Sequence, residues 1–181
     1  MTTYLAFLRG VNLGAQRPVS MPRLVEIAES LGYEDVWTYL RTGNLALRTT
    51  EDAATVERRL ERALEEEHGA NIGVTVRTAA ELRATLDANP FGDGSPSRVT
   101  VTFLAGRAPA GLEERIGDVA TPAERHEVHG REVWVDFVDG QARSRLAATF
   151  ARVVGVGATT RTVGTVGRLV DKLESRAAGT A

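Results

Sequence analysis

Leu8-Arg9-Gly10-Val11-Asn12-Leu13-Gly14 sets a guanidinium, a carboxamide and two glycines directly after the apolar run Tyr4–Leu8. Arginine presents a fixed fork of donors, and asparagine both donates and accepts. Glycines at 10 and 14 admit backbone angles that other residues avoid. A turn of this kind can aim several N–H groups at one anion, with Arg9, Arg17 or Arg41 supplying the positive charge. A second polar bend, Arg41-Thr42-Gly43-Asn44, adds a hydroxyl and a second carboxamide, and is expected to lie beside the first. Together with Arg161, the candidate ligand-binding set is Arg9, Gly10, Asn12, Gly14, Thr42, Gly43, Asn44 and Arg161. Its expected ligand is a small anion bearing phosphate or carboxylate. The plainer alternative is that the glycines only permit turns, while Asn and Thr bond their own backbone.

Other chemistries find less support. The glycines at 10 and 14 form neither the G-x-G-x-x-G of dinucleotide folds nor a P-loop, and Gly155-Val156-Gly157 has Thr160 where a third glycine belongs. No cofactor is therefore expected. The chain has no cysteine, which removes thiol nucleophiles, thiolate metal sites and disulfides. A G-x-S-x-G elbow is absent too. His126 and His129 lack a carboxylate at ligating spacing, so no metal site is expected. Glu61, Glu65, Glu66 and Glu67 read as one solvated helix face rather than an acid–base pair, and no catalytic residue is singled out. A net charge of −2 and an aromatic content of 6% argue against nucleic acid. No stretch approaches the ~20 apolar residues of a membrane span. With no leader-like N-terminus in view, the expected location is the cytoplasm.

The elements that would position these residues follow from periodicity. Residues 4–9 suit a strand buried on both faces. Ser20-Met21-Pro22 opens a helix with Leu24, Ile27, Ala28 and Leu31 on one face, stopped at Gly32. Strands are expected over 35–40 and 45–49 around the Thr42-Gly43-Asn44 bend, then a helix over 52–68 and a strand over 74–76. The order β-α-β-β-α-β is that of a ferredoxin-like unit. Thr78-Ala79-Ala80-Glu81 has the form of a capping box. After Asn89-Pro90, the stretch Gly92–Ser97 reads as a linker or mobile loop. The pattern then repeats: strand 98–104, helix 110–119, a hairpin of 124–128 with 132–137, helix 141–154 and an extended Thr159–Thr162. A helix over 164–176 closes the chain. The expected class is α+β, with two ferredoxin-like βαββαβ halves in tandem, a pseudo-duplication of pattern without visible residue-level repetition. The halves are placed at 1–78 and 98–181, the latter including the C-terminal helix, with a connecting helix and loop over 79–97.

Several landmarks recur together in one known family. They are the 8–14 stretch, Met21 with Leu24, Leu31-Gly32-Tyr33, and Val36-x-Thr38-x-x-x-Thr42-Gly43-Asn44. Asn89-Pro90-Phe91 and Thr159-Thr160-Arg161-x-x-x-Thr165-Val166 complete the set. In their order and spacing the chain resembles the domain-of-unknown-function 1697 family over nearly its whole length. That resemblance implies two similar βαββαβ halves and carries no agreed activity, substrate or cofactor. Where the family usually continues Thr-Arg-Asn-Trp, this chain has Thr160-Arg161-Thr162-Val163, and Arg145 stands where lysine is common. The function expected from these readings is the binding of a small anion where the 9–14 and 41–44 loops meet. The alternative is a non-catalytic interaction module or homodimer working through a sheet edge or face.

Overall fold

The computed structural model describes residues 1–11 and 19–179, so Asn12, Gly14 and Arg17 lie outside the described residues. The chain divides into two compact units, Met1–Glu81 and Leu82–Ala181.

The first unit runs β1 (Thr2–Leu8), α1 (Met21–Ser30), β2 (Glu34–Tyr39), β3 (Asn44–Thr49), α2 (Ala53–His68) and β4 (Val74–Thr78). Its antiparallel sheet has the order β2-β3-β1-β4, which is ferredoxin-like. The central strand β1 is buried from Tyr4 to Leu8 on both faces, as an unbroken apolar run requires. Tyr4, Ala6 and Leu8 join Leu45, Leu47, Val74 and Val76 in one core with Leu24 and Ile27 of α1 and Val56, Leu60 and Leu64 of α2. Each helix turns one periodic face to the sheet. Asp52 caps α2 by accepting from the Thr55 N–H at 2.8 Å. That bond holds its carboxyl below the usual range. Gly69 then ends the helix in a left-handed conformation.

Helix α3 (Ala79–Asp87) starts directly where β4 stops. The capping box forms in both directions: Glu81 N–H donates to Thr78 Oγ1 at 3.1 Å, and Thr78 N–H donates to Glu81 Oε2 at 2.7 Å.

The second unit continues with β5 (Val99–Leu104), α4 (Leu112–Gly117), β6 (Arg125–His129), β7 (Glu132–Asp136), α5 (Arg145–Val154), β8 (Ala158–Thr162) and α6 (Val163–Gly179). Its sheet order, β6-β7-β5-β8, copies that of the first. A single 3-10 turn at Gln141–Arg143 precedes α5, so the helix begins later than periodicity suggests. Ser144 caps it by accepting from the Ala147 N–H at 2.9 Å. The Gly92–Ser97 stretch folds against its own unit. Gly94 N–H donates to Phe91 O at 2.9 Å, and Asp93 pairs with Arg125 at 3.0 Å.

Strand register reveals a correspondence that composition hides. Phe7 and Leu8 stand in the first sheet where Phe103 and Leu104 stand in the second. Leu8 N–H donates to Gly43 O at 2.8 Å, and Leu104 N–H to Arg131 O at 2.9 Å. Thr75, Arg77 and Thr78 face Phe7, Leu5 and Tyr4, just as Thr159, Arg161 and Thr162 face Phe103, Val101 and Thr100. Gly73 and Gly157 close the two ladders in the same way, accepting from Arg9 N–H at 2.9 Å and Ala105 N–H at 2.8 Å. The duplication therefore extends to residue types as well as to pattern.

Candidate functional site

The end of β1 and the bend between β2 and β3 meet. Besides the Leu8–Gly43 hydrogen bond, Gly43 lies so close to β1 and its loop that an added Cβ would stand 2.5 Å from Val11 Cγ2 and 2.8 Å from Leu8 Cβ. Its φ of +73° adds a second reason for glycine. Gly10, with φ +66°, turns the chain out of β1 and has open space where a side chain would go. The two corners are thus one structural feature as far as Val11.

Arg9 is exposed at this corner. Its guanidinium rests on Gly73, where an added Cβ would lie 3.3 Å from Nε and 3.4 Å from Nη2. Gly73 has no left-handed backbone angle, so its missing side chain serves this approach. Among the described residues the Arg9 guanidinium has no ion pair or hydrogen bond. Arg41 and Thr42, which precede Gly43 in sequence, are exposed.

Asn44 is fully buried. Its Nδ2 donates to Tyr39 O at 2.8 Å and to Thr42 Oγ1 at 3.1 Å. The carboxamide therefore braces the bend from within and fixes the Thr42 hydroxyl. A left-handed Leu40, at φ +59°, is part of the same bend.

Arg161 belongs to the second unit. Its Nη1 donates to Thr160 O at 2.8 Å, and burial pushes its guanidinium down to about 10. Arg77, its counterpart on β4, is buried and donates Nη1 to the preceding carbonyl, Val76 O, at 3.0 Å. Sequence reading singled out Arg161 and passed over Arg77. The signal was the Arg-Thr pair that closes both strands just before a helix.

Two further polar clusters are also present. In the first unit Tyr33 Oη donates to Glu51 Oε2 at 3.0 Å; Arg59 pairs with Glu51 and lies 5.5 Å over the Tyr33 ring. Burial, then the bond to Glu51, pushes the Tyr33 phenol up to about 12. In the second unit Arg125 bridges Asp93 and the buried Asp136 and lies 4.9 Å over Phe91. A hollow of about 400 Å³ lined by Thr121, Glu124, Asp139, Gly140, Arg143 and Ser144 lies near the start of α5. Its Ser144 hydroxyl donates to Glu124 while accepting from the helix, which is the geometry of a cap. Among the described residues no group of three or more His, Asp or Glu is placed to hold a metal ion.

The solved structure of a conserved bacterial protein, SP0830 from Streptococcus pneumoniae, has the same fold. The TM-score is 0.78 at 19% identity, over 96% of this chain and 99% of that one. No curated protein matches. A family model described as a protein of unknown function, DUF1697, matches residues 1–134, and the chain belongs to that family.

Proposed function

We propose that the corner built by the loop after β1 and the β2–β3 bend binds a small anion carrying phosphate or carboxylate. The observation that carries this reading is the Arg9 guanidinium, exposed and unpaired among the described residues and seated on Gly73, one residue past the Leu8–Gly43 bond that joins β1 to the bend. A guanidinium can form paired hydrogen bonds to an oxyanion. Gly10 leaves the approach open, and Arg41 and Thr42 add a second charge and a hydroxyl at the same bend. The proposal rests on first-unit residues; Asn44 acts in it as the brace that holds Thr42.

Inorganic phosphate and citrate are suitable probes. Calorimetric titration of the wild type should show saturable binding of at least one of them, and Arg9→Ala should abolish it. Because Arg9 is exposed, the ligand-free melting temperature of the variant should stay within a few degrees of the wild type. Equal binding by Arg9→Ala and wild type would remove the assignment.

A further inference from the structure

Strand β4 is an edge of the first sheet. Its residues Thr75 and Arg77 face Phe7 and Leu5, and Arg9 N–H donates to Gly73 O on the same ladder. The amides of Val74, Val76 and Thr78 therefore point away from β1. Such a row ordinarily invites another strand. Here every one of the three is taken by a carboxylate. Val74 N–H donates to Glu61 Oε1 at 2.9 Å, Val76 N–H to Glu57 Oε1 at 2.8 Å, and Thr78 N–H to Glu81 Oε2 at 2.7 Å. The outward carbonyl of Val76 is met by Arg77 Nη1 at 3.0 Å.

The acceptors come from both flanking helices. Glu57 and Glu61 stand one turn apart on α2, so their spacing along the helix matches alternate amides along the strand. Glu81 comes from the first turn of α3. The other edge, β2, is protected by different means: its register against β3 shifts between Glu34 and Trp37, and Asp35 adopts φ +48°. A bulge of this kind spoils an edge for pairing.

We propose that Glu57 and Glu61 form a self-blocking contact that keeps β4 from accepting a strand, and that removing them lets β4 pair with β4 of a second copy. The second copy is the fitting occupant because β4 is short, rich in β-branched residues and self-complementary. About a two-fold axis at Val76, the two Val76 residues face each other and each freed Val74 N–H meets the outward carbonyl of Thr78 in the other copy, while Thr78 N–H stays with Glu81. Glutamate at these positions thus acts on the backbone, and a side chain that still offers an acceptor oxygen should preserve the block.

The full-length chain tests this directly. Amide exchange in the wild type should show Val74 and Val76 protected although they lie on an edge. Glu61→Ala should speed exchange of Val74 at least 10-fold and leave Val76 near its starting rate; Glu57→Ala should do the reverse. By light scattering over a concentration series, the double variant Glu57→Ala/Glu61→Ala should reach twice the wild-type mass, while Glu57→Gln/Glu61→Gln should keep the wild-type mass. Fast exchange of both amides in the wild type would overturn the proposal. So would single alanine variants that leave the exchange pattern unchanged, or a folded double alanine variant that never departs from the wild-type mass. Should the double variant fail to fold, the single-variant exchange rates decide alone.

Discussion

Gly73 is a residue whose identity depends on its neighbour's chemistry. A methyl group there would approach the Arg9 guanidinium at 3.3–3.4 Å, tighter than ordinary contact, and the flexible arginine would swing aside. Gly73→Ala is therefore expected to melt close to the wild type while weakening phosphate or citrate binding, as read by calorimetry. Tyr33 gives a second test at this scale. Its phenol is pushed from the ordinary 10 to about 12, so the neutral form is favoured in the folded protein. The stability this contributes is complete below pH 10 and is lost as pH rises towards 12. Ultraviolet titration should show one tyrosine ionising late. Arg9, Gly10 and Gly43 were legible in the sequence because donor chemistry and positive-φ tolerance belong to the residue type. The seat at Gly73 and the inward turn of Asn44 were not, since both are set by groups that only folding brings near.

Helices and strands were the most legible level. Ser20, Asp52, Thr78 and the glycines at 32, 69 and 155 stand at the starts and ends that propensity assigns them. Periodicity also chose the buried face of α1 correctly with Leu24, Ile27 and Ala28, and the same spacing buries Val56, Leu60 and Leu64 of α2. Leu60→Ala should then cost about 2–5 kcal/mol in a urea titration, as a fully buried leucine does. Ser144→Ala removes the α5 cap and should cost about 1 kcal/mol by the same measurement. The 3-10 turn before α5 escaped the sequence reading, because its residues lack the apolar spacing that reports on a helix. Glu61 was read with Glu65, Glu66 and Glu67 as one solvated face. It is bound to the edge of β4 instead, next to Glu57, a role that helical periodicity alone does not reveal.

For the whole molecule, pattern was enough to give two ferredoxin-like halves, and the sheets bear this out with identical strand orders. What escaped notice was that the halves repeat residues as well. Phe7 and Phe103, Arg77 and Arg161, and Thr78 and Thr162 occupy matching registers, but the spacing between the phenylalanines differs from that shared by the arginine and threonine pairs because loops differ in length. Phe7 and Phe103 are both fully buried, so each alanine substitution should cost about 3–5 kcal/mol on urea unfolding, with the two losses alike in size. The same view limits where variation can enter. In a saturation library scored for soluble, folded protein, position 43 should appear as a column of failures, since every other side chain meets both a strained angle and the flank of β1. Its surface neighbours Arg41 and Thr42 should tolerate most replacements. The surface chemistry of this corner is therefore free to vary from one lineage to another without ever touching the pin on which it turns.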